Sequence, residues 1–290
     1  PRPESVPHHL PFQLWPYQAD FIGWTEARYR EGKDVLVEKS RDVGATWCAL
    51  AWILHHWLFE GSFQTLVGSR KEDLVDNWEM DSLFGRLAYM VERLPDWMKP
   101  PHQRQHMKLV RTDNGSAIIG ESANPKFSRQ GRYNVILLDE FAFWEWARSV
   151  WTATADSTHF RLAISTPDPI GGDAFRELRH SGRPAVYTLH WRLHPHKTEA
   201  WYREECTRRT PEDIASELNI SYQRSLRGRV YPEWADVPKG EFPYVAGWSL
   251  WESWDYGIDG ATAMIWWQRN PKSGLYRIVD CYTNAGPTID

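Results

Sequence analysis

Two carboxylates, Asp139 and Glu140, follow four apolar residues, Val135-Ile-Leu-Leu138, two of them β-branched. Such a run reads as a strand buried on both faces, as in a parallel sheet. An acidic pair at the end of a buried strand suits phosphoryl transfer, where one acid holds Mg²⁺ and the next polarises the attacking water. Asp139 takes the first role in that chemistry and Glu140 the second. The plainer reading is a strand that stops at solvated charges, and strand-plus-acid patterns are common. The choice turns on whether a phosphate site stands elsewhere in the chain.

Asp34-Val-Leu-Val-Glu38 reads as a short buried strand, and Trp47-Cys-Ala-Leu-Ala-Trp-Ile-Leu54 as a buried helix. Between them lies Lys39-Ser-Arg-Asp-Val-Gly-Ala-Thr46. Strand, short loop and helix is the context a phosphate-binding loop requires. Against the pattern G-x-x-x-x-G-K-[ST], Gly44 and Thr46 fit the second glycine and the Mg²⁺-binding hydroxyl. Ala45 stands where the lysine belongs, and Lys39 where the first glycine belongs. Backbone N–H groups through Ser40, Gly44 and Ala45, with the helix terminus behind them, still face the phosphates. The missing charge falls to a long cation at the front of the loop, Lys39 or Arg41, and the sequence leaves these two open.

Further candidates surround this pair of motifs. Gln18, in Leu14-Trp-Pro-Tyr-Gln18, carries a donor and an acceptor that suit an adenine edge, unless it is a surface residue of an amphipathic helix. Arg129 lies in a polar loop, 121–132, just before the acidic strand, placed to meet phosphates of its own or a neighbouring subunit; pairing with a surface acid is the alternative. Ser165 and Thr166 close the next strand, Phe160-Arg-Leu-Ala-Ile164, where hydroxyls beside a terminal phosphate can report hydrolysis to a moving part.

The elements that must position these groups are strands alternating with helices or loops, with ligands at the strand ends: a β-α-β pattern and a mainly parallel sheet. Phe63-Gln-Thr-Leu-Val-Gly68 reads as a strand, followed by a helix from Ser69 toward Met90. Segment 95–116 is rich in Pro, His, Arg and Lys and reads as a solvated loop or a phosphate-contacting patch. Gly115-Ser-Ala-Ile-Ile-Gly120 is a further strand.

Composition narrows the class. In 290 residues, hydrophobic content of 42% and charged content of 25% are ordinary for a globular protein. The 18 tryptophans sit beside apolar residues or at element ends and read mostly as packing. A formal charge of −4 supplies no general basic field, so nucleic-acid contact must come from local patches. Cys48, Cys206 and Cys281 lack metal-ligand spacing and read as reduced thiols of an intracellular protein. Neither a signal peptide nor an apolar run of membrane-spanning length is visible, so no membrane partner is expected.

The order of parts resembles the large subunit of tailed-phage terminases, the viral DNA-packaging motor. The resemblance rests on Tyr17-Gln18, the loop Lys39 to Thr46, Ser128-Arg-Gln-Gly131 with Val135 to Glu140, and Ser165-Thr-Pro167. It continues through His190-Trp191, His194-Pro195, Trp201-Tyr202 and Glu217-Leu218 to Gly228-Arg-Val230. It implies a P-loop ASCE-type ATPase using ATP with Mg²⁺, which moves double-stranded DNA into a procapsid. Its partners would be the portal, a terminase small subunit and copies of itself in a ring, in the host cytoplasm. Some members of that family carry the loop lysine at the front, which makes Lys39 the counterpart, and Arg129 becomes a finger acting in trans.

The same resemblance orders the chain as an ATPase core over 1–196, a helical lid over 197–236, a turn-rich linker over 237–247 and the start of an RNase H-like nuclease domain over 248–290. In the lid, Glu199 to Arg209 and then Pro211 to Leu218 read as helix, with Thr210 as N-cap. In the last part, Asp255 would be the first ligand of a Mg²⁺ or Mn²⁺ pair and Asp259 a nearby helper. Asp280 reads as structural. The later acids of such a site would fall after Asp290, so cleavage is expected only of a longer protein. Two other classes stay open: a nucleotide-binding docking module for DNA or capsid without turnover, and an SF2-like helicase, which would need a second RecA-like domain.

Overall fold

The computed structural model describes residues 12–129, 131–169, 171–222, 240–255 and 262–284. They fall into two compact units, Pro1–Arg229 and Val230–Asp290. The first contains α1 (Pro16–Arg30), β1 (Val35–Lys39), α2 (Ala45–Phe59), β2 (Gln64–Ser69), α3 (Glu72–Val75), α4 (Leu83–Glu92), β3 (His102–Gln105), β4 (Lys108–Arg111) and β5 (Ala117–Ser122). Next come β6 (Val135–Asp139), α5 (Ala147–Thr154), β7 (Arg161–Ser165), α6 (Asp173–His180), β8 (Ala185–Leu189), α7 (Glu199–Arg208) and α8 (Pro211–Asp213), which runs on as a π-helical turn, Ile214–Leu218.

One eight-stranded sheet, ordered β3-β4-β5-β2-β6-β7-β1-β8, organises this unit. From β5 to β8 every pairing is parallel. Successive side chains of a strand point to opposite faces, and here both faces are core. Val35, Val37, Leu137, Leu162 and Ile164 pack with α1, α2 and α4. Leu36, Ile136, Leu138 and Ala163 pack with residues of α5 and α6. All five residues of β6 are buried, as its unbroken apolar run required. Register then brings the strand ends together: Glu38 pairs with Ser165, and Asp139 with Ile164.

Two sequence expectations need correction. Segment 95–116 is not a loop: β3 and β4 form an antiparallel hairpin that adds to β5, and its polar outer strand suits a sheet edge. The helix expected from Ser69 to Met90 is broken between Val75 and Leu83. Asp76 causes the break, since its buried carboxylate accepts from Trp78 N (3.2 Å), Met107 N (2.6 Å) and Arg104 Nη2 (2.6 Å). Helix restarts at Ser82, whose hydroxyl caps Gly85 N at 3.1 Å. In the helical segment after residue 197, Thr210 caps Asp213 N at 3.2 Å, as read from the sequence.

The second unit's described part is a three-stranded antiparallel sheet ordered β11-β10-β9, from β9 (Leu250–Asp255), β10 (Thr262–Arg269) and β11 (Tyr276–Asn284). Its buried Gln268 side chain binds Val245 N, Val245 O and Trp248 O, fixing the segment before β9 onto the sheet.

Beneath the loop that follows β1, Glu38 is buried and receives Arg179 Nε (2.8 Å), Thr188 Oγ1 (2.5 Å) and Tyr222 Oη (2.9 Å). Burial works to raise its carboxyl, but these donors outweigh it and hold the group below the ordinary glutamate range. A lowered carboxyl stabilises the fold above its unfolded titration, near pH ~4.3, and the contribution fades as pH falls through the folded value. Glu38→Ala is therefore expected to cost about 2–3 kcal/mol in urea unfolding at pH 7, somewhat under the full loss of a buried ion pair because Arg179 can rehydrate. The difference from wild type should narrow below pH ~4; a constant difference would leave Glu38 a packing role only.

Candidate nucleotide-binding site

Between β1 and α2 the chain turns through two left-handed residues, Asp42 (φ 56°) and Gly44 (φ 78°). A Cβ at Gly44 would also lie 2.7 Å from Gln18 Nε2, so that side chain would have to shift. The loop is anchored through its outer atoms. Ser40 Oγ donates to Leu218 O (2.5 Å) and accepts from Trp191 N (2.9 Å). Tyr17 Oη donates to Val43 O (2.8 Å), and Lys197 Nζ to Arg41 O (2.5 Å). The first N–H groups of α2, from Ala45 onward, have no partner within their own helix and open toward the cleft.

The acidic strand end meets this loop directly. Thr46 Oγ1 donates to Asp139 Oδ1 at 2.9 Å. Asp139 is buried and makes no ion pair among the described residues. Burial raises its carboxyl above the ordinary range; Lys39 opposes this, Glu140 adds to it, and Thr46 and Arg86 favour the charged form. Glu140 adopts a left-handed backbone (φ 54°, ψ 35°), a strained geometry for a non-glycine residue. Its Oε2 lies 3.0 Å from Arg70 Nε. Ser165 Oγ accepts from Ala142 N at 3.1 Å and so holds the turn after Glu140.

A cleft of about 1090 Å³ joins these groups, with Gln18, Lys39, Arg41, Gly44, Ala45, Thr46, Asp139, Glu140 and Thr166 among its lining residues. Ser40 and Ser165 are not in that lining; they are buried and brace the loop and the turn. Gln18 is turned inward: its Oε1 accepts from Trp15 N (3.1 Å) and its Nε2 donates to Val43 O (3.3 Å). Arg41 is paired with Glu217 at 2.7 Å, whereas Lys39 makes no ion pair among the described residues. Arg129 is exposed, follows the left-handed Ser128 (φ 66°) and does not line the cleft. Asp255 ends β9 in the second unit, and Asp259 lies outside the described residues.

Sequence reasoning gave no site role to Arg70, Arg86, Trp15 and His194, which also line the cleft. The signal for Arg70 was its place just past a parallel strand's C-terminal end; for the rest, spacing carried none. His194 packs edge-on to Trp15 with ring centroids 4.2 Å apart. Burial, then Lys197 and His196, push its imidazole down to about 4, so it is neutral at physiological pH.

The donors suit a hard cation. A threonine hydroxyl and a carboxylate without a cationic partner are oxygen ligands, and Mg²⁺ typically takes only one or two protein carboxylates beside phosphates and water. Among the described residues no group of three or more His, Cys, Asp or Glu gathers to hold a metal.

A mainly parallel sheet whose strand ends carry a glycine turn, a hydroxyl and an acidic pair defines a P-loop ASCE-type ATPase fold. Residues 36–168 match the family described as terminase large subunit, T4likevirus-type, N-terminal. The HK97 bacteriophage large terminase superposes with a TM-score of 0.61 at 17% identity, over 96% of this chain and 64% of that one. A large terminase from a thermophilic bacteriophage, in complex with ADP, gives 0.56 at 10% identity, over 94% and 69%. The ATPase domain of the Thermus phage P74-26 large terminase gives 0.51 at 18%, over 65% and 88%. These identities carry the fold, and the chain spans 64% of the HK97 protein's length. No curated protein matches the chain by sequence.

A buried carboxylate without a cation is costly to the free protein. Asp139→Asn keeps an acceptor for Thr46 and removes that charge. It is expected to raise the melting temperature of the nucleotide-free protein, by about 2–4 °C for each kcal/mol recovered. A lower melting temperature would show that the carboxylate is not a source of instability.

Proposed function

We propose that this chain is the motor subunit that drives double-stranded viral DNA into a procapsid, using ATP hydrolysed in the cleft between Gly44–Thr46 and Asp139–Glu140. The observation that carries the reading is the Thr46–Asp139 hydrogen bond of 2.9 Å, which sets the phosphate loop and the acidic strand end on one spot with Glu140 beside them. The thermophilic-phage terminase with bound ADP shares this fold, which supports a nucleotide as the ligand.

Each residue then has a task. Magnesium arriving with ATP would neutralise phosphate charge, and Thr46 and Asp139 would hold it. Lys39, the front cation without an ion pair among the described residues, contacts phosphate, while Arg41 stays with Glu217. Glu140 takes the proton of the attacking water once it leaves Arg70. Gln18 supports the loop through Val43 rather than reading the base. Ser165 and Thr166 link the cleft to the turn at Ala142 and serve as the coupling element. Arg129, exposed and without an ion pair among the described residues, serves a neighbouring subunit's phosphates in a ring.

The same reading divides the chain into core (1–196), lid (197–236), linker (237–247) and the opening of an RNase H-like nuclease (248–290). Three antiparallel strands, with Asp255 closing β9, support that opening. In a longer protein Asp255 and Asp259 would hold Mg²⁺ or Mn²⁺ for cutting concatemeric DNA. The portal, a terminase small subunit and the host cytoplasm complete the setting. An antiparallel sheet after residue 247 speaks against the second RecA-like domain of a helicase.

Glu140→Gln should bind Mg-ATP within about threefold of wild type yet lose ~100-fold or more of phosphate release; unchanged turnover removes Glu140 from its role and revives the docking-module reading. Lys39→Ala should weaken Mg-ATP binding about tenfold by calorimetry, and EDTA should weaken wild-type binding as well. Wild-type affinity in Lys39→Ala would return the phosphate contact to Arg41.

A further inference from the structure

The loop lacks the cation that its pattern places just before the hydroxyl. A P-loop lysine would stand at position 45 and reach the terminal phosphates, but Ala45 has nothing to reach with. α4 also lines the cleft and contributes Leu83 and Arg86. Arg86 is tethered at its own helix start: Nε donates to Met80 O and Nη2 to Asp81 O, each at 3.2 Å. Its guanidinium sits 5.8 Å from the ring centroid of Trp47, the residue after Thr46.

Arg86 makes no ion pair among the described residues, and no hydrogen bond from its Nη1 is formed with them. It and Lys39 are the two cations that favour the charged form of Asp139. A guanidinium offers its donors in a rigid planar fork suited to phosphate oxygens, and tethering two of its nitrogens lowers the entropy lost on binding.

We propose that Arg86 supplies from α4 the cation that Ala45 cannot, contacting the terminal phosphate of a bound nucleoside triphosphate and so distinguishing ATP from ADP. The inference rests on the cleft being a nucleotide site, and it concerns a phosphate-contacting residue that the loop motif does not contain. Lys39 enters from the loop's front and serves both nucleotides; Arg86 enters from α4 and serves the triphosphate.

Calorimetric titration with Mg-ADP and with the non-hydrolysable Mg-AMP-PNP separates these roles. Wild type is expected to favour the triphosphate analogue. Arg86→Gln, which keeps a side-chain donor near the Met80 and Asp81 carbonyls, should bind Mg-AMP-PNP about tenfold or more weakly while keeping Mg-ADP within about twofold. Arg86→Lys should recover part of the preference. If the Gln variant weakens both ligands equally or neither, or wild type holds both alike, the proposal is overturned. A folded wild type that binds neither nucleotide instead overturns the nucleotide-site reading. Melting curves of each variant separate loss of fold from loss of contact.

Discussion

Thr46 and Asp139 are 93 residues apart in sequence and 2.9 Å apart in space. Thr46 lies in the first turn of α2, after the loop that leaves β1, and Asp139 ends β6; β1 and β6 are not neighbours, since β7 runs between them. Strands lie ~4.8 Å apart, so the loop after β1 must reach across β7 to meet Asp139. That crossing explains why Ser165 and Thr166, at the end of β7, lie beneath the two halves of the cleft. It also explains why Ser165 can hold Ala142 N while its own backbone pairs with Glu38. One topological fact places the glycine turn after β1, an acidic strand end and a hydroxyl pair in mutual reach.

The site is built against local stability. Asp139 carries a carboxyl into a buried place, Glu140 and Asp42 hold left-handed backbone, and the half-exposed Glu140 carboxylate lies against Arg70. Residues with these costs persist only where their surroundings over-determine them. The surroundings here are β1 and its buried Glu38, held from α6, β8 and Tyr222, and the aromatic anchor Trp144, whose Nε1 donates to Asp139 O at 2.9 Å. Rigid packing below and unpaired charge above is the arrangement of a preorganised site, in which groups wait for charge to arrive.

The cleft's cations are sorted by what else they touch. Glu217 takes both Arg41 and Arg209, Glu140 takes Arg70, and Lys197 is spent on the Arg41 carbonyl. Through these contacts the segment after α7 is joined to the phosphate loop by side chains and by the backbone bond from Arg41 N to Glu217 O (2.7 Å). These contacts tie the 211–222 segment to the loop after β1.

What could be read from the sequence alone was local. Apolar runs marked β1 and β6 because burial on both faces leaves no polar alternation, and the glycine turn was legible because only certain residues tolerate its dihedrals. Thr210 announced its helix because a cap acts within three residues. Tertiary structure decided whatever depended on distant partners. The break at Asp76 needs Arg104 and Met107, about thirty residues on; the inward turn of the Gln18 amide needs Val43; the choice between Lys39 and Arg41 needs Glu217. Arg70 and Arg86 belong to the cleft only because β2 and α4 fold against β6 and α2. Propensity and periodicity act over a few residues, whereas an ion pair or a cleft wall is settled by which strands become neighbours.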